Sequence, residues 1–148
     1  MSTIDEIGAA IMRWQDLTQA FDEAAADKLG ISLRELRCLG SLHHGPRSPS
    51  ELATGVKLSP AAMTALLDRL EKKDLVRRRR DTSDRRKVLI EQTEKAKRFS
   101  EDFYGQIARD GASLLSSLEA SEQEAILRFI KNAIALQERR LGPTTAAS

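Results

Sequence analysis

Apolar residues recur at intervals of three and four along most of the 148-residue chain, which is the spacing of one face of an α-helix. In the first segment, residues 3–28, this spacing forms a single stripe of Ile4, Ile7, Ile11, Trp14, Leu17 and Phe21. Similar patterns predict further helices over residues 33–43, 49–54, 60–73, 94–118 and 122–140. In the helix over residues 60–73, the positions expected to face the core are Met63, Leu66, Leu67 and Leu70. The chain is therefore predicted to be mainly α-helical.

Residues that favour helix starts support these boundaries. In a capping box, a side-chain hydroxyl and a carboxylate three residues later satisfy free backbone N–H groups of the first turn. Four pairs match this pattern: Thr3 with Glu6, Ser32 with Glu35, Ser48 with Glu51, and Ser121 with Glu124. Pro49 and Pro60 each follow a serine, as is typical of the first helical position. Gly30 is expected to end the first helix, and Gly45 with Pro46 to follow the second.

The helical pattern stops at residues 77–87, which read RRRRDTSDRRK. The flanking stretches DLV and KVLIE contain branched apolar residues that favour strands. The central DTSD consists of residues whose short side chains favour turns. We therefore predict a β-hairpin with a charged tip, with residues 77–80 on its first strand and Arg85, Arg86 and Lys87 on the return strand.

The charge of the chain is concentrated around this hairpin. Residues 69–98 contain thirteen Lys and Arg against six Asp and Glu, a local charge of +7 in a chain whose net charge is +2. The remaining residues together are therefore acidic, at −5. A basic patch on an otherwise acidic protein indicates a polyanionic partner, with nucleic acid the first candidate and an anionic membrane surface the second.

Other classes of protein fit the composition less well. The single cysteine, Cys38, excludes an internal disulfide, and neither a signal peptide nor a membrane span is evident, so a cytoplasmic protein is expected. His43 and His44 are adjacent and cannot chelate one ion as histidines four apart can, so no metal site is predicted. Without a plausible nucleophile and base or a glycine-rich phosphate loop, neither an enzyme nor a cofactor is expected.

Two short helices after a longer one, followed by a basic hairpin, are the element order of a winged helix-turn-helix. The segment GVKL at residues 55–58 is the expected tight turn between the short helices. With the apolar stripe buried, the helix over residues 60–73 would present mainly small residues that let it enter the major groove. We predict DNA contacts from this helix and its start at Ser59, Ala61, Thr64, Ala65, Asp68, Arg69 and Lys72, and from the hairpin at Arg78, Arg80, Asp84, Arg85 and Arg86.

The segment LSPAAMTALLDRLEKKDLVRR followed by DTSDRRKVLI resembles the MarR family of bacterial winged-helix repressors, and the order of elements agrees over nearly the whole chain. The resemblance implies a homodimer on a pseudo-palindromic operator in double-stranded DNA. One recognition helix per subunit (about 60–73) would lie in the major groove, and one wing (about 77–90) in the minor groove. Carried over by position, Asp84 and Arg86 match the family's wing pair, in which the carboxylate orients the guanidinium. Ser59, Thr64 and Arg69 match recognition-helix positions.

The chain departs from the family pattern at a few positions. Asp74 replaces the usual glycine after the recognition helix, but aspartate tolerates left-handed geometry, so the turn is expected to form. Ser83 stands where arginine is frequent in the wing. Gln92 and Ala96 replace a leucine and a glycine at the entry into the following helix. None of these changes is expected to alter the fold.

The fold class that follows is mainly α with a small β-hairpin, in one domain over residues 1–148. A winged helix-turn-helix at about 31–92 would be flanked by dimerisation helices at about 3–28 and 94–140. The apolar stripe of the last helix is too wide for a single neighbour, which indicates a two-fold interface. The residues predicted to form that interface are Ile4, Ile7, Ile11, Ile126, Phe129, Ile130 and Ile134.

The resemblance also implies an effector crevice between the dimerisation helices and the winged domain. Candidates for lining it are Arg13, Trp14 and His43, although a tryptophan is more often part of the core. A small anionic aromatic or phenolic ligand is the expected effector. Two alternatives remain: a redox-sensing regulator acting through Cys38, which is more simply read as a buried apolar residue, and a nonspecific polyanion-binding or scaffolding protein.

Overall fold

The computed structural model describes residues 1–142 and is mainly helical, with one antiparallel hairpin. Its helices are α1 (Thr3–Leu29), α2 (Leu33–Ser41), α3 (Pro49–Val56), α4 (Pro60–Lys72), α5 (Glu94–Ser116) and α6 (Ala120–Leu141). The strands β1 (Val76–Arg80) and β2 (Val88–Gln92) lie between α4 and α5. The chain divides into two compact units, Met1–Lys97 and Arg98 onward, so the division falls near the start of α5. The predicted fold class is confirmed.

The core of the first unit is built from α2, α3, α4 and the hairpin. The predicted stripe of α4 is confirmed, because Met63, Leu66, Leu67 and Leu70 are each at most 1% exposed. They pack with Cys38, Leu39, Leu42, Leu52, Ala53, Val56, Leu75, Val76, Ile90 and Ala96. Each large side chain of this kind contributes about 1.5–3 kcal/mol by leaving water. This burial fixes which face of α4 remains outside.

The hairpin has a register that sets the direction of every basic side chain in it. Val76 lies opposite Gln92, and Arg80 lies opposite Val88. Arg47 adds a short bridge to the free edge of β2, where its backbone exchanges two hydrogen bonds with Ile90 at 3.0 and 2.8 Å. Because Val76 and Ile90 are buried, residues 76, 78 and 80 of β1 share the face turned towards the protein.

The expected return strand was placed too early. Arg85, Arg86 and Lys87 precede β2 and belong to the tip of the hairpin. The tip is closed instead by backbone bonds from Asp81 N to Lys87 O and from Lys87 N to Asp84 O, both 2.9 Å. The turn is therefore longer than the DTSD segment alone, and it displaces the start of β2 to Val88.

Two predicted capping boxes are confirmed and two are wrong. Ser32 with Glu35, and Ser48 with Glu51, form the expected reciprocal bonds at the starts of α2 and α3. The cap of α1 is Ser2 with Asp5 rather than Thr3 with Glu6. The cap of α6 is Glu119, whose backbone N–H donates to the Glu122 carboxylate, rather than Ser121 with Glu124. In both errors an equivalent pair lies earlier in the chain, by one residue at α1 and by two at α6, and lengthens the helix by the same number.

The helix ends also differ from the predictions in small ways. α2 stops at Ser41, two residues before His43, whereas α3 continues to Val56 and includes Gly55 of the predicted turn. Lys57, and not a glycine, takes the left-handed conformation after α3, with φ of 55°. Gly30 ends α1 in the left-handed conformation as predicted. Asp74 has φ of 56°, which confirms that aspartate supplies the turn after α4.

The outer helices bury very little within one chain. The only buried residues are Ala25 and Ala26 in α1 and Ala96 in α5, and the described part of α6 has none. Their apolar stripes are instead exposed, with Ile4 at 80% and Phe129 at 52%. Trp14, expected more often in a core, is 66% exposed. Leu141 is the last residue of α6, and residues 143–148 lie outside the described part.

Within residues 1–142, no helix combines the length and the apolar character that crossing a bilayer requires.

Candidate nucleic-acid interface

The outward face of α4 begins at a well-formed helix cap. The Ser59 hydroxyl accepts a hydrogen bond from the Ala62 backbone N–H at 3.2 Å, and Pro60 occupies the first helical position. Past this cap the predicted residues Ala61, Thr64, Ala65, Asp68, Arg69 and Lys72 are all exposed, and so is Glu71, which was not predicted. The Thr64 hydroxyl donates to the Pro60 carbonyl at 3.0 Å, which leaves its oxygen able to accept from a ligand. This end of the helix is therefore narrow, exposed and free of bulky side chains.

Arg77 and Arg79 of β1 are held by an acidic residue on the neighbouring strand. Their Nε atoms lie 2.6 and 3.0 Å from the two carboxylate oxygens of Glu91. Partial burial acts to raise the pKa of Glu91, but the bonds from the two guanidinium groups outweigh it and hold that pKa below its ordinary value. Two of the seven cations in the basic stretch thus share one negative charge within the hairpin.

Arg78 lies on the opposite face of β1 and contacts α4. Its guanidinium pairs with Asp68, at 2.7 Å between Nη2 and Oδ1, and with Glu71 through Nη1. We call Arg78, Asp68 and Glu71 the Arg78 cluster. Sequence reasoning placed Arg78 and Asp68 separately at the DNA surface and did not identify their contact or Glu71. The i and i+3 spacing of two acids on α4 was the available signal.

Arg69 of α4 is paired with a buried acid from α2. Its Nε lies 2.7 Å from Oε1 of Glu35, whose side chain is 8% exposed, while the Arg69 side chain is 58% exposed. Glu35 also accepts from the Ser32 backbone N–H at 2.8 Å. Burial acts to raise the pKa of Glu35, but these hydrogen bonds bring it below its ordinary value. Glu35 thus joins the cap of α2 to the outer face of α4, which sequence reasoning did not foresee.

The tip of the hairpin carries the most exposed cations. The Arg86 side chain is 93% exposed, and its Nε lies 3.4 Å from Oδ1 of Asp84, which also accepts from the Arg86 backbone N–H at 3.1 Å. Arg80 donates to the carbonyl of Arg85 at 2.9 Å. Within residues 1–142, the side chains of Arg80, Arg85 and Lys87 form no ion pair. The tip therefore presents positive charge that the rest of the described chain does not neutralise.

The junction between α4 and α5 is held by three side-chain contacts that the sequence did not predict. The Thr93 hydroxyl donates to the Asp74 carbonyl at 2.6 Å and accepts from the Ala96 N–H at 3.2 Å. Lys95 Nζ donates to the Lys73 carbonyl at 2.8 Å. The departure from the family pattern at Gln92 also has a structural role, because its buried amide donates to the Leu39 carbonyl at 2.7 Å.

The candidate effector residues are not joined by the described contacts. Trp14 is exposed on α1, His43 packs edge-to-face against His44 at 5.2 Å between ring centroids, and no hydrogen bond or ring contact in residues 1–142 connects either of them with Arg13. Likewise, no group of three or more His, Cys, Asp or Glu in the described range is arranged to hold a metal ion.

The environment of Cys38 makes its thiol poorly reactive, unlike that of a redox sensor. Its side chain is fully buried in the core. Burial, with a smaller contribution from the Glu35 carboxylate, raises the pKa of its thiol to about 11. Since the thiolate is the reactive form, this environment opposes the redox alternative and agrees with the interpretation of Cys38 as a buried apolar residue.

Comparison with known proteins places this geometry among transcriptional regulators. The model of the MarR family matches residues 31–88. The uncharacterized HTH-type transcriptional regulator YcgE of Bacillus subtilis is 33% identical over 125 residues, covering 84% of this chain and 81% of the relative. The HTH-type transcriptional repressor NicR of Pseudomonas putida is 27% identical over 131 residues, covering 88% and 83%. A MepR variant from S. aureus, solved with a bound oligodeoxyribonucleotide, superposes with a TM-score of 0.57 at 20% identity, covering 93% of this chain and all of that one.

Proposed function

The chain belongs to the MarR family and is a DNA-binding transcriptional regulator, and we propose that it is a homodimeric repressor whose operator is released when a small molecule binds. The observation that carries this proposal is the position of α4. Its core stripe is fully buried, so its narrow outer face is exposed, as are the cations at the tip of the hairpin. A recognition helix and a wing require this combination.

In the proposed complex, α4 lies in the major groove with its start at Ser59 nearest the DNA. The methyl groups of Ala61, Ala65 and Thr64 are small enough to approach thymine methyls, and the Thr64 oxygen is able to accept a base amino group. The N–H groups of the first turn suit a phosphate oxygen, since the helix dipole places positive charge there. Arg69 and Lys72 lie on the same exposed side, where they suit phosphate contacts.

The wing is proposed to read the minor groove through Arg86, supported by phosphate contacts from its neighbours Arg80 and Arg85. A narrow, A·T-rich minor groove has an enhanced negative potential that favours an inserted guanidinium. Asp84 binds both the backbone N–H and the side chain of Arg86, so it restricts the directions available to that side chain. Such restriction lowers the entropy lost when the arginine enters the groove.

The homodimer is proposed to form through the exposed apolar residues of the outer helices. These comprise Ile4, Ile7, Ile11, Ile126, Phe129, Ile130 and Ile134, of which only Ile11 is less than 36% exposed in one chain. An exposed apolar stripe on a helix of a folded protein marks an interaction site, and α1 and α6 each carry one. A two-fold dimer would set two copies of α4 about one helical turn apart, roughly 10 base pairs, on a pseudo-palindromic operator.

Release of the operator is proposed to follow from a change in the distance between the two recognition helices. The effector would be a small anionic aromatic or phenolic molecule bound near Arg13, Trp14 and His43, since Trp14 supplies an exposed ring and Arg13 a positive charge. A ligand shifts this equilibrium only as far as it prefers one arrangement of the helices. Because its target is DNA, the protein is proposed to act in the cytoplasm.

The test is selection of bound duplexes from a random DNA pool, followed by affinity measurements with two variants. Arg86→Ala should weaken binding to every sequence without changing the preferred half-site. It should also reduce the slope of log binding constant against log salt concentration by about one unit. Thr64→Val keeps the side-chain volume but removes the hydroxyl, so it should cost about 1–3 kcal/mol at one base-pair position and relax preference there. Binding with a salt dependence but no preferred palindrome would instead support a nonspecific polyanion-binding protein.

A further inference from the structure

Two carboxylates lie on the outer side of the helix that we place against DNA. Asp68 follows Thr64 by one helical turn on the exposed face of α4, and Glu71 follows Asp68 by three residues. The side chains of Asp68 and Glu71 are 56% and 42% exposed. Phosphate groups carry negative charge along the whole groove, so uncompensated carboxylates at these positions would oppose the approach of the helix.

The side chain of Arg78, on strand β1, forms ion pairs with both carboxylates. Its Nη2 binds Asp68 and its Nη1 binds Glu71, so the two ends of one guanidinium are used on two acids. Its side chain is only 31% exposed, against 93% for Arg86 at the tip of the wing. The buried residues Val76 and Ile90 fix the strand register that turns Arg78 towards α4.

We infer that Arg78 is a positioning residue that holds Asp68 and Glu71 and offsets half of their combined charge while α4 enters the groove, and that it does not itself bind phosphate. The inference rests on the proposed placement of α4 against DNA. An arginine suits this role better than a lysine because its planar group binds two acceptors at once in fixed directions. Removing one partner from an ion pair that becomes desolvated in a complex leaves the other charge buried and unpaired, and that loss exceeds the value of the pair itself.

A double-mutant cycle separates this role from the alternatives. The protein variants are Arg78→Gln, the pair Asp68→Asn with Glu71→Gln, and the three changes together, each titrated against the selected operator. In the wild-type background, Arg78→Gln should weaken operator binding at least about tenfold, because two carboxylates are released at the interface. With both acids neutralised, Arg78→Gln should lower operator affinity by less than about threefold, because only a distant charge is lost.

The neutralised pair alone distinguishes a counter-charge from a structural clamp. Asp68→Asn with Glu71→Gln removes the same two ion pairs that Arg78→Gln removes. If the Arg78 cluster served only to hold the hairpin against α4, both sets of changes would lower DNA affinity. Under our inference the neutralised pair binds operator at least as tightly as the wild type. Melting temperatures of all variants establish that each is folded at the temperature of the titrations.

Arg85→Gln is the matched control, since Arg85 lies in the same wing and its side chain has no ion pair with α4 in the described structure. It should weaken binding equally whether the acids are present or neutralised. Equal losses for Arg78→Gln in both backgrounds would overturn the inference and make Arg78 a direct phosphate contact. If neither Arg78→Gln nor the neutralised pair changed affinity, while Arg86→Ala did, the placement of α4 in the groove would be wrong instead.

Discussion

Glu35 provides the most quantitative prediction about the stability of the winged unit. Its carboxylate binds the Ser32 backbone N–H at 2.8 Å and Arg69 Nε at 2.7 Å, and its side chain is 8% exposed. Loss of a helix cap costs about 1 kcal/mol. A hydrogen bond to a charged group contributes about 1.5–3 kcal/mol. We therefore expect Glu35→Ala to lower the free energy of unfolding by about 3 kcal/mol at pH 7.

A second capping box in the same unit supplies the control for this prediction. Glu51 accepts from the Ser48 backbone N–H at 2.7 Å, as Glu35 does from Ser32, but Glu51 is exposed and has no hydrogen bond from an arginine in the described structure. Glu51→Ala should therefore cost only the cap, about 1 kcal/mol. The difference in unfolding free energy between the two variants measures the contribution of the bond to Arg69 together with that of burying Glu35.

The pH dependence of this difference has a defined sign. Burial acts to raise the pKa of Glu35, but the bonds from Ser32 and Arg69 outweigh it, so the folded-state pKa lies below the unfolded one. A group with a lowered pKa stabilises the fold above its unfolded value, about 4.3, and loses that contribution as the pH falls through the folded value. The difference between wild type and Glu35→Ala should therefore shrink on acidification below about pH 4.3.

The assay is urea denaturation followed by circular dichroism, with all variants at one protomer concentration because a dimer links stability to concentration. Measurements at neutral pH and at steps down through the carboxyl range give both the magnitude and its pH dependence. If Glu35→Ala and Glu51→Ala lowered the free energy of unfolding equally, the stabilisation assigned to the bond with Arg69 would be refuted. If the difference in unfolding free energy between wild type and Glu35→Ala stayed the same in acid, the ionised carboxylate would not be its source.

Three further predictions concern assembly, the wing and the buried thiol. Ile130→Glu should produce monomers in sedimentation velocity and abolish operator binding, because a charge would enter an apolar interface; an unchanged dimer would contradict the proposed interface. Asp84→Ala should weaken operator binding less than Arg86→Ala does, although it makes the wing more positive; tighter binding in an anisotropy titration would mean that the wing acts as a diffuse charged surface. Cys38 should resist iodoacetamide at pH 7 until the chain is unfolded, because its thiol is buried and has a pKa of about 11; rapid labelling of the folded protein would restore the redox alternative.

The features predicted correctly from the sequence are those in which the spacing of apolar residues directly indicates which side chains are buried. The α4 stripe is an example, since the same residues that recur at helical spacing are the ones removed from water. Helix starts were less certain because neighbouring residues offered equivalent caps. Ser2 with Asp5 and Thr3 with Glu6 both satisfy the capping pattern, and the structure uses the one that adds a residue to α1. Local chemistry does not choose between two such caps of similar energy.

The faces of β1 were beyond prediction for a different reason. A strand normally reveals its buried side by alternating apolar and polar residues, but four consecutive arginines have no alternation. The direction of Arg78 is set by Val76 and Ile90 in the core and by the bridge from Arg47, which is distant in sequence from both strands. Only tertiary contacts therefore determine which arginines of this run face α4.

The arginines of the hairpin consequently differ in their contacts although they are alike in chemistry. Arg77 and Arg79 share Glu91, and Arg78 pairs with Asp68 and Glu71 of α4, so three of the seven cations in the basic stretch are engaged by acids outside the tip before DNA arrives. The remaining four lie at the end of β1 and in the tip, where the backbone turns and exposes them. A count of positive residues thus overstates the charge available to the minor groove. In the proposed complex the tip cations are therefore the ones left to meet the phosphates, whereas Arg78 offsets the charge of Asp68 and Glu71 on α4.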